Sequence, residues 1–392
     1  MREVAVIGVG MTPFGKFPER SLKSLGIEAS IVALRDAGVR PQEIQVAYVG
    51  NAVAGLMFGQ SMILGQVILK ELGIVSIPIT NVENACGSGS SALREAWIAV
   101  GSGLYDVALA LGVEKLHVGD LARTTAALAG ATDMETEGGL GLTFPGHWAL
   151  KARVYMEKYG ITAKHLALVS VKNHRHGLLN PYAHHQRSVT VEEVLSSRMI
   201  ADPQTALMCS PISDGAAAAV VCSRDFLRRF SPGSTKSPVW IAASSLTTGS
   251  YDDGRDISFN GLEELAGRNA FETAGVGPGE LDFAEVHDCF AIAEFLRCES
   301  LGLFEPGSYG WALERGEATL GGRLPINPSG GLLAKGHPIG ATGLAQVAEA
   351  VWQLRGEAGK SQIEGTRLGL THCSGGGIAG DTAVCSLFIF KR

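Results

Sequence analysis

Along this chain, runs in which nearly every position is apolar alternate with segments of helical amphipathic spacing. VAVIGVGM near the N-terminus, DVALALGVE (106–114) and AVCSLFIF (383–390) have few polar breaks, as expected of strands buried on both faces. ALREAWIAV (92–100) and LAQVAEAVWQLRGEA (344–358) carry the helical pattern. Such alternation predicts layered α/β packing, with helices covering sheets.

The pattern also repeats. ALRDAGVRPQEIQVAYVGN (33–51) aligns without a gap on AFETAGVGPGELDFAEVHD (270–288), with eight of nineteen positions identical, Pro41 and Pro278 among them. Each copy reads as a helix end, a glycine turn, a short linker and an apolar strand. A duplicated chain is expected, one half spanning 1–116 plus 201–248 and the other 249–392, with turns at the strand ends meeting between them. The segment 117–200 breaks the rhythm with a Gly/Thr/Ala-rich stretch, a helix (149–160) and HRHGLLNPYAHHQ (174–186). It reads either as an inserted cap over a substrate entrance or as a long surface excursion.

Composition narrows the class. With 392 residues, 46% hydrophobic and 18% charged, the chain suits a well-buried globular enzyme. Its 51 glycines exceed the ordinary share and point to tight turns and close backbone approaches. A net charge of −6 without a basic run argues against a nucleic-acid or anionic-membrane surface. The seven cysteines are scattered, odd in number and free of any CxxC pair. Neither a disulfide framework nor a zinc site is indicated, and a reducing cytoplasm is the expected compartment. The first apolar stretch is soon broken by Gly and Pro, so neither a secretory leader nor a membrane span is expected.

Four short stretches carry chemistry. NVENACGSGSS (81–91) places Cys86 among small residues just before a helix. Either it is a nucleophile favoured as thiolate by the helix N-terminus, or it is buried filler beside a helix capped by Ser88 or Ser90. GHPIGATG (336–343) holds His337 in a glycine-rich turn that opens a helix, a pose suited to a general base. HCSGGG (372–377) sets three glycines behind Cys373, where backbone N–H groups are free to face an oxyanion. HDCF (287–290) ends the second repeated strand, and its Asp288 also suits a helix cap. No dinucleotide fingerprint, P-loop or metal cluster appears, since GVGMTPFG fails the GxGxxG spacing. The HRH and HH groups (174–176, 184–185) read as surface loop residues rather than metal ligands.

Taken together, in this order and at strand-to-turn junctions, NACGSG, HDCF, GHPIGATG and CSGGG resemble the thiolase superfamily over essentially the whole chain. HDCF and KNHRHGLLNPYAH (172–184) are most similar to its sterol-carrier-protein-type and archaeal-type branch. The resemblance implies a duplicated fold of two related mixed-sheet halves in layered αβαβα packing with an inserted loop domain. It implies an acyltransferase that cleaves a 3-oxoacyl-CoA with CoA, or runs the reverse Claisen condensation, through an acyl-Cys86 intermediate. His337 would deprotonate Cys86 and, with His287, line one oxyanion hole; backbone N–H groups of Cys86 and Gly375 would form the other. The acid/base at the α-carbon would be Cys373, with Cys289 as the alternative.

Coenzyme A would be a substrate, with no permanently bound cofactor, its pantetheine arm near Gly146, His147, Ser244 and Ser245. Leu140, Leu142, Phe144 and Trp148 suit either an apolar acyl tail or core packing. A homodimer is implied, and some members of the branch work with a small companion carrying a zinc ribbon and an OB-like domain. The rival readings are a 3-oxoacyl synthase, a 3-hydroxy-3-methylglutaryl-CoA synthase, a side-chain aldolase, or a non-catalytic scaffold subunit.

Overall fold

The computed structural model describes residues 1–230, 236–252, 254 and 256–392. Its eleven strands are β1 (Val4–Met11), β2 (Val46–Gly50), β3 (Ile79–Val82), β4 (Val107–Glu114), β5 (Met199–Ala201), β6 (Gln204–Thr205), β7 (Gly215–Ser223), β8 (Val239–Thr247), β9 (Phe283–Glu285), β10 (Leu368–Ile378) and β11 (Asp381–Lys391). Nine of them form one mixed sheet in the order β3-β2-β4-β7-β1-β8-β11-β10-β9, while β5 and β6 make a separate ribbon.

Read outward from the β1–β8 pairing at its centre, the order is the same in both directions. β1 is antiparallel to β7 and β7 to β4, which is followed by parallel β2 and β3. On the other side β8 is antiparallel to β11 and β11 to β10, followed by parallel β9. A parallel bridge from Ala284 to Ile326 stands where β3 stands in the first half. The repeat therefore extends from sequence to strand order. Its local geometry repeats as well: the helices Leu22–Ala37 and Gly261–Ala274 both end on a left-handed glycine, Gly38 and Gly275. Each is followed by a short turn in which Glu43 or Glu280 accepts the N–H of Arg40 or Gly277.

One boundary moves. The sequence placed β8 in the first half, but β8 pairs with β11 from Trp240 to Thr247 and touches β1 at only two positions. It is the counterpart of β1 and belongs to the second half.

The layers follow from burial. β1, β4 and β7 are buried along their whole length, as continuous apolar runs require. The helix Leu22–Ala37 lies directly on β1, where a side chain on Gly8 would fall 2.4 Å from Ala33 O and Ala37 N. Between the halves run Ser88–Gly101 and Thr342–Arg355. The second is buried all round except at Trp352 and Arg355, as a central-layer helix must be. Their first turns pack so closely that a Cβ on Gly343 would meet Ser90 at 2.8 Å. Among the described residues no helix is long and apolar enough to cross a membrane.

Candidate active site

Cys86 lies between β3 and the helix Ser88–Gly101, in a turn where Ala85 adopts a positive φ of 47°. The turn is held by its own polar atoms: Ser88 Oγ accepts the Asn84 N–H and donates to Ala85 O. Neither Ser88 nor Ser90 caps the helix; Ser90 Oγ donates to Gly87 O instead. The thiol sits just ahead of the helix N-terminus, whose field favours a negative charge. Burial acts the other way. With help from the neighbouring thiols of Cys373 and Cys289 and from Glu114, it pushes Cys86 well above the usual thiol range.

The partners come from the second half. The Cys86 thiol and one ring nitrogen each of His287 and His337 lie within 4.8 Å of one another. The two imidazoles meet edge to face, with centroids 4.8 Å apart. His337 Nδ1 is 2.7 Å from Thr342 Oγ1, and that hydroxyl donates its proton to Pro338 O. Thr342 must then accept from His337 Nδ1–H, which leaves the lone pair on Nε2. Burial, reinforced by the Arg297 guanidinium, lowers His337 to about 3, so the ring is neutral at physiological pH. His287 is likewise held well below its ordinary value by burial and by His337.

Cys373 completes the group. Its thiol donates to Cys86 O at 3.1 Å and lies 3.5 Å from His287 Nδ1. Burial raises it to about 12. Cys289 is close enough to raise both other thiols and is itself pushed up by burial to about 11. Gly375 is pressed against Cys86, since a Cβ there would fall 2.6 Å from Cys86 N. The three glycines lie within β10, and the turn comes only after Ile378. Asp288 does act as a cap, accepting the N–H groups of Leu332 and Leu333 at the start of Gly331–Lys335.

Other expected residues stand further out. Gly146 and His147 lie in the first turn of the helix Phe144–Tyr159, whose Trp148 is buried and stacked on Phe290. Phe144 packs against the same core, whereas Leu140 and Leu142 are exposed. Ser244 and Ser245, on β8, pair with Phe388 and Leu387 of β11, which lies between β8 and β10, and the buried Ser244 Oγ has no hydrogen-bond partner among the described residues. The contacts that gather the thiols and imidazoles involve none of these four expected CoA contacts.

The HRH group corrects the sequence reading. His174 and His176 are not surface loop residues but are buried in the helix Ala163–Gly177. His176 donates from Nδ1 to Asn327 O and accepts the Leu320 N–H at Nε2, so its ring braces the chain ahead of His337. Sequence reasoning also passed over Glu114. Buried at the end of β4, it accepts from Asn51, from the Ala52 N–H and from the Gly340 N–H, tying the His337 turn to the first half. A lone acid closing an apolar strand was the available signal.

Comparison with known proteins agrees with this geometry. Residues 4–225 match the family description "Thiolase, N-terminal domain", and residues 243–387 match "Thiolase C-terminal domain-like". An acetyl-CoA acetyltransferase of Methanothermobacter thermautotrophicus is 47% identical over 99% of this chain and 100% of its own length. The benzoylsuccinyl-CoA thiolase subunit BbsB of Thauera aromatica is 40% identical over 96% and 95%. Among solved structures, an Ltp2–ChsH2(DUF35) aldolase superposes with a TM-score of 0.85 at 25% identity, covering 100% of this chain and 98% of that one. A strand order repeated about its centre, two thiols and two imidazoles converging from opposite halves, and near-full-length similarity to acyl-CoA-processing relatives have one common explanation: this chain belongs to the thiolase family.

Proposed function

We propose that this thiolase transfers its acyl group through Cys86. The observation that carries the reading is the meeting of the Cys86 thiol with the two neutral imidazoles and with Cys373. His337 Nε2 takes the Cys86 proton as sulfur attacks the 3-oxo carbon of a 3-oxoacyl-CoA. The C2–C3 bond breaks, its electron pair passes to the α-carbon of the departing acyl-CoA, and a thiol proton neutralises it. CoA then attacks the acyl-Cys86 thioester and restores the thiol. The Claisen condensation is the same path reversed. Charge develops on thioester oxygens, where the N–H groups of Cys86 and Gly375 form one cradle and His287 with His337 the other. Cys373 is the better acid/base than Cys289, because its thiol contacts both Cys86 O and His287.

CoA serves as substrate, with no resident cofactor. Its pantetheine arm runs between the first turn at Gly146 and His147 and the β8 segment at Ser244 and Ser245, where buried hydroxyls of Ser244 and Thr247 lack partners. The segment 117–200 covers this entrance, with Ala131 O accepting the Gly377 N–H of β10. The working unit is a homodimer in the cytoplasm, joined along the free edge of β3, where Thr80 and Asn81 are exposed and Met62, Ile63 and Val75 leave apolar surface uncovered. The names of two similar proteins, one a thiolase subunit and one an aldolase solved with a DUF35 protein, support a small companion subunit.

That aldolase likeness also favours a second reading, a side-chain aldolase, which cleaves without transferring acyl groups to CoA. A panel of 3-oxoacyl-CoAs with CoA, and of 3-hydroxyacyl-CoAs (the substrates of a retro-aldol cleavage) without it, each run with and without the companion, separates them. Two acyl-CoA products support the thiolase reading, whereas a released aldehyde or ketone supports the aldolase.

A further inference from the structure

Cys373 points from β10 toward Cys86, so its neighbours His372 and Ser374 face the opposite side of the sheet. There they meet a second polar group sealed from solvent. Arg297, on the helix Ala291–Ser300, donates from Nε and Nη2 to Ser374 Oγ at 3.2 and 2.6 Å and lies over the Trp148 ring. Glu263 Oε1 is 3.9 Å from Arg297 Nε and 3.8 Å from His372 Nε2. All three side chains are buried, and among the described residues neither Glu263 oxygen nor His372 Nε2 has a hydrogen-bond partner. His372 Nδ1 accepts the backbone N–H of His287 at 3.3 Å. A neutral His372 must then carry its proton on Nε2, aimed at Glu263.

Glu263, His372 and Cys385 also bring three potential metal ligands within 4.8 Å. The guanidinium beside the carboxylate argues against a cation: it already balances the charge and would repel a metal ion. At 3.8 and 3.9 Å the Glu263 carboxylate acts on His372 and Arg297 through its field rather than through direct hydrogen bonds.

We propose that Glu263, Arg297 and His372 form a buried positioning relay behind the active site. Arg297 holds Ser374, and with it the strand that carries Cys373 and Gly375. Glu263 keeps the lone pair of His372 on the His287 amide. One carboxylate thereby places both the proposed acid/base and the proposed oxyanion donors. The inference rests on the Cys86 thiolase reading above. None of the three residues needs to touch substrate.

The test compares His372→Leu, which loses the acceptor, with His372→Asn, whose amide oxygen replaces it near Nδ1. Cys86 acylation in the wild type, read by intact mass, is the control. The relay predicts that His372→Leu lowers kcat about 10- to 100-fold, with KM for CoA within about twofold, as expected of a misplaced reacting group. His372→Asn should recover to within about fivefold of wild type. If His372→Leu does not fold, Ser374→Ala against Ser374→Thr makes the same comparison at the Arg297 arm. Equal losses in both members of a pair, or no loss in either, overturn the relay while leaving the thiolase reading intact. Stoichiometric zinc in the purified enzyme also overturns it. A wild type that is never acylated at Cys86 overturns the underlying reading and the relay with it.

Discussion

At the scale of single residues, burial drives Cys86 upward and His337 downward in pKa, and together these shifts define the resting state. Thiol and neutral imidazole coexist, in contrast to a thiolate–imidazolium pair, and in the proposed reaction the proton moves only as the substrate is attacked. Alkylation of Cys86 by iodoacetamide should therefore accelerate about tenfold per pH unit from about pH 6 to 9, without a plateau. A plateau below neutrality would show a thiolate already formed. His337→Ala should lower kcat/KM by about 10²- to 10⁴-fold, the range for a lost general base, with little change in melting temperature. The thiols and imidazoles were legible because cysteine and histidine stand out in glycine-rich turns. Arg297 and Glu263 were not. AIAEFLRCES looks like a helix with a wet charged face, yet all ten of its residues are buried, their charges met inside the protein.

At the scale of elements, the repeated helix–turn–strand unit was legible over nineteen residues, because its caps and prolines are local chemistry. The assignment of β8 was not, since strand partnership depends on contacts far along the chain. His174 and His176 were misread for a related reason: the HRH group lacks helical spacing and GLLNP follows it, which suggests a loop, and only packing against the Asn327 segment buries them. Two strand-borne groups lend themselves to testing. Gly375→Ala forces a methyl group to within 2.6 Å of Cys86 N and should reduce kcat at least about tenfold. Unchanged kinetics would detach β10 from the reaction. Glu114, at the end of β4, is raised by burial from an ordinary 4.5 to about 7. A raised carboxyl contributes its full stability below the unfolded pKa and loses it as pH rises through the folded one. Between pH 4.5 and 7 the wild type should thus lose on the order of 3 kcal/mol from this group relative to Glu114→Gln. Urea unfolding across that range measures it, and parallel curves for the two proteins would contradict the assignment.

At the scale of the whole molecule, duplication explains why one half supplies Cys86 and the other supplies His287 and His337: both sets of strand ends open onto the same central layer. The same architecture leaves β3 as an unpaired edge flanked by exposed Met62 and Ile63. For the homodimer proposed above, Met62→Lys together with Ile63→Lys should shift the protein from dimer to monomer in sedimentation analysis, and an unaltered dimer would place the interface elsewhere. The central claim is the acyl-Cys86 intermediate. Its most direct test is intact-mass and peptide mapping after brief incubation with acetyl-CoA, wild type against Cys86→Ala. The account predicts one acetyl group per chain, confined to the peptide bearing Cys86 and missing from the variant. An unlabelled wild type, or a label that persists in Cys86→Ala, would contradict it.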